Sequence, residues 1–507
     1  MHRSPSAEAE IGEELAAVRP GLSARYADAL PGARAAVLTR LWRGLVHDPL
    51  PWVAGREAGP EGVVLRLADG RCLRGPVADP YATGDGVTAV GLDGREHADP
   101  ARLVAELAVP RSAAFAGELG HSVASLALSR AANPDVAGRP VHPKEWPVRD
   151  WEWEQRVVDG HPFHPSCRSR PGLSVAEQLA YGPEHRPVVG LGLLPVPVGE
   201  CLLAGDWPGW LRDGGRVLLP VHPWQEAHVL KRAGGQRLAA HPLMALRTLA
   251  LPGGPHVKTS LTARLTSSVR DISLGSVAAS RTLSELGETV AARTDGLLHV
   301  TRTLGAVAAG SPDLAAVLRE SPQEYAGAGE RVVPVAALAT TGLPGVPGWP
   351  ARLARLALAV GLRLLELGVA LEAHGQNLLV VLSPSGEPRR LVYRDLADIR
   401  VSPARLARHG IRVPDLPARV VTDDERALRR KLFGSLVAGA LAGTVGSGPG
   451  LRAALEPAVR ELPRTGELAA LCGGPVPAKA LTLMRLSPGG AGDRWTELPN
   501  PLEVARF

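Results

Sequence analysis

The stretch EAHGQNLLVVLSPSGEPRRLVYRD, residues 372–395, carries the clearest structural pattern in the chain. An apolar arm, LLVVL, is followed by the turn composition SPSGEP and then by the return arm RRLVYRD. Two such arms around a Pro/Gly-containing turn are typical of a β-hairpin. With the turn centred between Ser385 and Gly386, the hairpin places Asn377 opposite Arg394.

The open end of this hairpin collects polar side chains. Asn377 and Asp395 lie at that end, beside His374. Amide and carboxylate oxygens are ligands that Mg²⁺ accepts, and kinases place an Asn and an Asp at the two ends of a comparable hairpin. We therefore predict that Asn377, Asp395 and Glu372 hold Mg²⁺ on nucleotide phosphates. The alternative is a capped helix leading into a hairpin, with Asp395 paired to Arg394 or Arg400.

The segments that flank the hairpin predict a helical C-terminal lobe. Residues 351–373 have the spacing of an amphipathic helix, and its buried stripe is Leu353, Leu356, Val360, Leu364 and Leu367. The Pro/Gly-rich residues 341–350 are a candidate boundary in front of it. A helical tail follows the hairpin.

Upstream, residues 257–266 alternate like a half-buried strand. Its polar face carries Lys258, Ser260, Thr262, Arg264 and Thr266. We expect this basic face, together with Arg270, to bind an anion; a solvated strand face is the alternative. At about 3.3 Å per residue, Lys258 and Thr266 lie about 26 Å apart in a straight strand. The strand therefore either bends or serves two ends of a long ligand pair.

A third motif, HPFHPSCRSRPG, begins at His161. Prolines restrict the backbone beside His161 and His164. Arg168 and Arg170 follow two residues apart, so that one of them can share a face with Ser166. We predict an anion-binding segment, with an incidental surface loop as the alternative. Zinc is disfavoured, because it usually takes at least three protein ligands and no third is close in sequence.

A further His-Pro corner follows the predicted strand Arg216–Val221. This strand can deliver His222 into a cleft. Equally, Trp224 can pack while His222 hydrogen-bonds a carbonyl group.

The chain has 507 residues, too many for one ordinary core. We expect three lobes, at residues 1–150, 151–340 and 341–507. Within the first, residues 1–50 and 97–131 have helical spacing, and Asp69-Gly70 is the turn of a predicted hairpin over 63–76. Aromatic residues make up only 4% of the chain, so the cores must be built from Leu, Val and Ala.

Charge and composition exclude several classes of protein. A net charge of +6 without a basic stripe or a reader motif disfavours nucleic-acid binding and suits a cleft for anionic small molecules. No apolar run reaches the length of a membrane helix, and the N-terminus lacks the apolar region of a signal peptide. The four cysteines form no CxxC pair. We expect a cytoplasmic protein with no membrane partner.

These motifs, in this order, resemble the nonribosomal-peptide-synthetase-independent siderophore synthetases, the aerobactin-synthetase-like IucA/IucC family. The matching features are HPxHPxxRxRxG at 161–172, LRT at 246–248, Lys258 with TSSxR at 266–270, and HGQN with RD within 374–395. The tail, with PAK at 477–479, LMRL at 483–486 and NPL at 500–502, resembles the family's ferric-reductase-like (FhuF-like) C-terminal segment.

The resemblance implies a mixed α/β fold shaped as a cupped hand, with a thumb, fingers and a helical palm, built on mixed and antiparallel sheets. It also implies that a citrate- or succinate-type carboxylate attacks the α-phosphate of Mg-ATP, and that an amine or alcohol then displaces AMP. A homodimer is implied as well.

Residue roles follow from the same resemblance. Predicted ATP ligands are His164, Ser166, Arg168, Arg170, Arg247, Lys258, Gln376 and Asn377. Predicted carboxylate ligands are Thr266, Arg270, His374 and His222. Predicted catalytic residues are Arg270, His374 and Lys258.

Two departures and two rival functions accompany this prediction. The family usually has a small hydroxyl residue where this chain has Ala245, and Lys where it has Arg168, which is not geometrically equivalent. A kinase-like phosphotransferase that releases ADP is one rival, although no Gly-rich phosphate loop precedes the hairpin. A redox or non-catalytic siderophore-handling protein is the other, although Cys472 has no neighbouring cysteine to help hold an iron–sulfur centre.

Overall fold

The structure is a computed structural model that describes residues 6–134, 139–232, 234–265, 268–487 and 492–503. It has the predicted mixed α/β fold, in which antiparallel strand pairs dominate. Thr266 and Ser267, from the predicted TSSxR motif, lie outside the described residues.

The N-terminal part combines four long helices with a five-stranded antiparallel sheet around one apolar core. The helices span Ala7–Val18, Ser23–His47, Pro100–Leu107 and Ser112–Ala131. The strands, paired in chain order, span Val53–Gly59, Gly62–Leu67, Cys72–Gly75, Val90–Leu92 and Arg95–His97. The predicted hairpin is confirmed, because Arg66 pairs with Cys72 around Gly70. Gly70 has a φ of +92°, which favours glycine.

The central part is a nine-stranded antiparallel sheet. In spatial order its strands span Leu202–Gly205, Thr303–Ala308, Ala315–Arg319, His256–Thr259, Thr248–Ala250, Gln236–Pro242, Val189–Pro197, Arg216–Val221 and Arg212–Asp213. The prediction of a strand at Arg216–Val221 is confirmed. Short helices at Asp150–Gln155 and Val175–Tyr181 precede the sheet, and the helix Leu274–Ala291 packs on its first two strands.

The prediction of one strand over 257–266 is wrong, because the chain leaves the sheet at Ser260. The backbone N–H of Ser260 donates to Ala315 O at 2.9 Å, and its hydroxyl donates to Pro312 O at 2.6 Å. The next strand, Leu261–Leu265, pairs with Ser268–Arg270 in a separate two-stranded sheet. Lys258 is therefore in a different sheet from Arg270, and the predicted polar face is split.

The C-terminal part contains a four-stranded mixed sheet surrounded by helices. In spatial order the strands span Leu298–Val300, Pro388–Tyr393, Leu378–Leu382 and Arg331–Pro334, with only the first pair parallel. The helices span Val335–Leu338, Trp349–Leu367, Pro403–Arg408, Glu425–Ser435, Leu436–Leu441, Ala442–Val445, Gly448–Glu461, Gly466–Cys472 and Leu481–Leu486. Two small antiparallel pairs join Val369–Ala370 to Arg400–Val401 and Val476–Lys479 to Trp495–Leu498.

The predicted hairpin is confirmed in its register. Leu378 pairs with Tyr393, and the N–H of Arg394 donates to Asn377 O at 3.0 Å. The turn contains Gly386 at a φ of +85°. Asn377 and Asp395 therefore lie at the same end of the hairpin.

The predicted helix over 351–373 is confirmed, but its last turn is not helical. The helix ends at Leu367, because Gly368 takes a φ of +102° and its N–H donates to the carbonyls of the last turn. A side chain at Gly368 would place its Cβ 2.7 Å from the Cβ of Arg405. Glycine is required by both the backbone and the close approach.

Residues 341–350 are packed against the C-terminal core. Leu343 and Trp349 are buried in its apolar cluster, and the Trp349 indole donates to Gly386 O at 2.7 Å. The same cluster includes Trp153, from upstream of the sheet. The three lobe boundaries stay a prediction.

Within the described ranges, no single helix is long and apolar enough to cross a membrane. One pair, Glu425–Val445 with Gly448–Glu461, meets that test of length and composition only when taken together, and it is bent by 116°.

Candidate active site

A cavity of about 1200 Å³ brings together side chains from the central sheet, the hairpin and the C-terminal helices. Among the described residues, seventeen Arg and Lys side chains line it, against six Asp and Glu. Most of the predicted site residues face it, although they come from segments more than 200 positions apart. A cavity with this excess of cations suits a polyanionic ligand.

The Lys258–Asp395 pair lies at the centre of the cavity wall. The Lys258 ammonium donates to Asp395 Oδ2 at 2.6 Å. Burial lowers the pKa of Lys258 to about 8, although Asp395 opposes this shift. Burial also disfavours the charged form of Asp395, but Lys258 and Arg319 hold the pKa of that carboxyl well below its usual range. Asp395 itself has a φ of +75°, a conformation that non-glycine residues adopt rarely.

Two further arginines stand near this pair without a partner. The part of the chain that the structure describes offers no hydrogen bond or ion pair to the side chains of Arg270 and Arg319, which line the cavity. Burial lowers the pKa of both groups while Asp395 opposes the shift. Buried cations are usually paired, so these two guanidinium groups are suited to an incoming anion.

Arg247 is held by the backbone that carries Arg270. Its guanidinium donates to Arg270 O at 2.6 Å and to Asp271 O at 2.7 Å. Burial lowers the pKa of Arg247 to about 10. The preceding turn is tight, with Leu246 at a φ of +63°. Ala245, where the family usually has a hydroxyl group, lies in the cavity wall at this turn.

Glu372 is neutralised by two lysines. Lys431 and Lys479 each donate to Glu372 Oε1 at 3.0 Å. Burial opposes ionisation, but Lys479, His374 and Lys431 lower the pKa of Glu372 to about 2. Glu372 thus binds two ammonium groups, and a metal ion that bound to the same carboxylate oxygen would have to displace them.

Four histidines share one local geometry. The Nδ1 atoms of His161, His164, His222 and His374 each accept a backbone N–H from the residue two positions ahead, at 2.9 to 3.3 Å. Nδ1 is therefore an acceptor, and in the neutral ring Nε2 carries the proton. Burial lowers the pKa of His164 to about 3. His164 is thus a neutral N–H donor facing the cavity.

Arg168 and Arg170 face a carboxylate in the structure. Arg170 donates to both oxygens of Glu184 at 2.8 and 3.0 Å, and Arg168 donates to Glu184 at 3.3 Å. Arg168 also donates to the carbonyl of Val158 at 2.8 Å. Both arginines line the cavity, so the prediction that they bind ATP stays open, but their fixed contacts are those of positioning groups.

Ser166 and His222 are not brought to the cavity. Both are fully buried and absent from its wall. The Ser166 hydroxyl is buried and has no hydrogen-bond partner among the described residues. His222 packs edge-on against Tyr181, with ring centroids 4.9 Å apart. The prediction that these side chains contact a ligand is not supported by this placement, because each is enclosed by protein.

Sequence reasoning missed Glu154 and Arg319, and it treated Arg394 only as a hairpin partner. Glu154 is 1% exposed and accepts from Arg394 at 2.6 Å. In the sequence, Glu154 is marked only by its position directly after Trp153, and this position does not indicate which residue it contacts. The Leu318-Arg319 position at the end of a strand gives no signal of a cavity either.

Comparison with known families finds two matches along the chain. The pattern of the IucA/IucC family matches residues 150–207 and 200–340. The pattern of the FhuF-like ferric iron reductase transporters matches residues 348–447. The first match contains the His161 motif and Lys258, and the second contains the hairpin.

Solved structures share the fold over nearly the whole chain. The petrobactin biosynthesis protein AsbB of Bacillus anthracis aligns with a TM-score of 0.76 and 18% identity, over 99% of this chain and 98% of its own. The ATP-bound aerobactin synthetase IucA of Klebsiella pneumoniae aligns with a TM-score of 0.70 and 19% identity, over 93% and 99%. The chain therefore shares the fold of these structures, and its residues 150–340 are similar to the IucA/IucC family.

Among curated relatives, the chain matches a citryl-spermidine/3,4-dihydroxybenzoyl-citryl-spermidine:spermidine ligase of Bacillus anthracis. The identity is 26% over 310 residues, which is 48% of this chain and 50% of the relative. It also matches the N(2)-citryl-N(6)-acetyl-N(6)-hydroxylysine synthase of Vibrio mimicus, with 30% identity over 159 residues, 24% of this chain and 26% of the relative. The chain thus spans about half or less of the length of these relatives.

Proposed function

We propose that this protein is an ATP-dependent ligase that adenylates a carboxylate and condenses it with an amine or alcohol, in the biosynthesis of a siderophore or a related natural product. The observation that carries the proposal is the group of cations that lines the cavity around the carboxylate of Asp395, namely Lys258, Arg247, Arg270 and Arg319. ATP and a polycarboxylate both present negative charge, and this cluster supplies several fixed positive charges for them.

In the first step, a carboxylate oxygen of the substrate attacks the α-phosphorus of ATP. The bond from that phosphorus to the bridging oxygen breaks, and pyrophosphate leaves. Arg247 and Lys258, which both line the cavity, would stabilise the charge that gathers on the phosphate oxygens, which is the largest catalytic effect expected for such a step. The Nε2–H of His164 adds a neutral donor. Arg270, which has no side-chain partner among the described residues, and His374 would hold the carboxylate substrate.

Mg²⁺ fits one side of this site. Asp395 is held in its anionic form, and the side-chain oxygen of Asn377 is available because that amide donates through Nδ2, to Glu372 O at 3.4 Å. Mg²⁺ on a nucleotide usually takes one or two protein oxygen ligands plus phosphates. Asn377 and Asp395 would hold it, Asp395 through Oδ1 because its Oδ2 accepts from Lys258, whereas Glu372 faces two ammonium groups, those of Lys431 and Lys479. The ion would neutralise phosphate charge when bound.

In the second step, the nucleophile attacks the acyl carbon and AMP leaves. Its amine must be positioned and deprotonated. The two curated relatives are named for compounds in which a citryl group is joined to an amine. This supports a citrate-type acid and an amine as the substrate classes.

The test is a product assay with Mg-ATP, hydroxylamine and a panel of citrate, succinate, 2-oxoglutarate and amino acids. We expect pyrophosphate and a hydroxamate with at least one polycarboxylate. Lys258→Ala should lower kcat/KM for ATP by about 100- to 1000-fold, while the exposed Lys231→Ala should not. Release of ADP in place of pyrophosphate would support the kinase-like alternative and contradict this proposal.

We also propose that the enzyme works in the cytoplasm as a homodimer. All four cysteines are free thiols, which suits a reducing compartment. Light scattering on the purified protein tests the oligomeric state, and a monomer at micromolar concentration would contradict the dimer.

A further inference from the structure

A buried carboxylate connects two parts of the cavity wall, the turn that carries Arg247 and the end of the hairpin that carries Gln376 and Asn377. Glu154, in the short helix Asp150–Gln155, is 1% exposed and lines the cavity. Its Oε1 accepts from Arg394 at 2.6 Å, in the hairpin. Its Oε2 accepts the backbone N–H of Met244 at 2.9 Å, at the start of the turn that carries Arg247.

Arg394 also contacts the residues at the end of the hairpin. Its Nε and Nη2 donate to Gln376 O at 3.0 and 2.8 Å. Its backbone N–H donates to Asn377 O at 3.0 Å. All three nitrogen atoms of the guanidinium are thus engaged, with one N–H on Glu154 and two N–H groups on the carbonyl oxygen of Gln376. Contacts on both sides of the planar guanidinium fix its orientation between Glu154 and Gln376.

We propose that Glu154 is a positioning residue for the ligase reaction, which sets the turn carrying Arg247 and the hairpin end carrying Gln376 and Asn377 at the spacing that ATP requires. The proposal rests on the function proposed above. Glu154 contacts Met244 on the turn and Arg394 on the hairpin, and neither of these is a predicted ligand of ATP. It therefore acts on the predicted ligands through Met244 and Arg394. Its burial means that no solvent competes for these hydrogen bonds.

The geometry explains why an anion is needed here. The Oε1 of Glu154 faces a guanidinium and its Oε2 faces an amide N–H, so both oxygens accept. A glutamine in its place presents one NH₂ group to a donor. The substitution therefore removes the acceptor for Arg394 or the acceptor for Met244. Either the hairpin end or the turn that carries Arg247 is then no longer fixed by this residue. Misplacement of reacting groups by about 1 Å can cost about 100-fold in rate.

The test compares Glu154→Gln with a matched control, Glu467→Gln. Glu467 is also buried and paired with two arginines, Arg405 and Arg429, but it does not line the cavity. Both variants lose a buried ion pair, so both should lower the unfolding temperature. Only Glu154→Gln should lower kcat/KM for ATP, by about 100-fold, and weaken binding of a fluorescent ATP analogue.

A second variant covers the case in which Glu154→Gln does not fold. Arg394→Lys keeps the positive charge beside Glu154 but cannot donate to Glu154 and twice to Gln376 O, because Lys is a point charge on a flexible stem. We expect it to show the same loss of ATP affinity. In the double variant with Glu154→Gln the losses should be less than additive, because the two residues act as a unit.

Two results would overturn the inference: an equal effect of Glu154→Gln and Glu467→Gln on kcat/KM, or unchanged ATP affinity in both Glu154→Gln and Arg394→Lys. Failure of the proposed function itself looks different. In that case the unaltered protein releases no pyrophosphate with any carboxylate, whatever the variants do.

Discussion

At the scale of single residues, burial and charge give Lys258 its importance. The ammonium group is enclosed, paired with Asp395 at 2.6 Å and surrounded by arginines. The family resemblance, carried by short polar motifs, implied that Lys258, Arg270 and Asp395 are parts of one site. The sequence could not predict that Arg168 and Arg170 bind Glu184, since that carboxylate has no motif of its own.

The pKa of Lys258 predicts an alkaline limit to ATP use. Burial lowers this pKa to about 8, so Lys258 loses its charge in the free enzyme as the pH rises through 8. Because kcat/KM reports groups of the free enzyme, kcat/KM for ATP should fall above pH 8, by about tenfold per pH unit. The measurement is a pH profile from 6 to 10.

Lys258→Arg provides the control for that profile. Arginine keeps its charge throughout this range, so the variant should have lower activity but no fall between pH 8 and 10. An alkaline limb of unchanged position in Lys258→Arg would assign the titration to another group.

His374 should affect the carboxylate substrate more than ATP. It lines the cavity, and its Nδ1 is fixed by the N–H of Gln376 at 3.3 Å. Loss of one hydrogen bond to a charged group is worth about 1.5–3 kcal/mol. We therefore expect His374→Ala to raise KM for the carboxylate by at least about tenfold, measured by pyrophosphate release. Wild-type kinetics would refute the assignment.

At the scale of elements, the sequence predicted those features that depend on contacts between residues close together in the chain. The hairpin register, with Asn377 opposite Arg394, follows from its turn sequence alone. The break at Ser260 does not, because it depends on hydrogen bonds to Pro312 and Ala315, more than 50 positions away. Alternation within 257–266 continued through a point at which the chain changes sheets.

The hairpin turn should be sensitive to a single methyl group. Gly386 has a φ of +85°, and a Cβ there would lie 3.1 Å from the ring of Trp146. A left-handed conformation costs a non-glycine residue about 1–2 kcal/mol, before any contact with Trp146. We expect Gly386→Ala to lower the free energy of unfolding by at least that amount in a urea titration.

Gly209→Ala is the matched control for the turn. A Cβ at Gly209 would have no neighbouring atom within 4 Å, and the residue has no positive φ. Its substitution should leave the stability unchanged within about 0.5 kcal/mol. Equal stability of the two variants would contradict the role of the turn.

At the scale of the whole molecule, the cavity exists only because distant segments meet. Its wall draws on residues from Arg40 to Trp495, and the spatial order of the nine strands differs from their order in the chain. Neither can be read from local patterns. The family resemblance supplied the overall fold, and Glu154 was visible only in three dimensions.

ATP should therefore stabilise the folded protein as a unit. A ligand that binds only the native state adds about 2.7 kcal/mol at 100 times its Kd. We expect ATP to raise the unfolding temperature, with a smaller shift at high salt because the cavity is basic. Adenosine, which lacks the phosphates, should give little shift, and an equal shift with adenosine would contradict phosphate binding by the cations.

The most direct test of the central claim follows one oxygen atom. The substrate carboxylate is labelled with ¹⁸O and incubated with the enzyme, Mg-ATP and an amine, and the nucleotide products are analysed by mass spectrometry. If the carboxylate attacks the α-phosphorus and the amine later displaces AMP, one ¹⁸O atom is transferred to AMP and pyrophosphate is unlabelled. Unlabelled AMP, or ¹⁸O in inorganic phosphate together with ADP, would contradict adenylation.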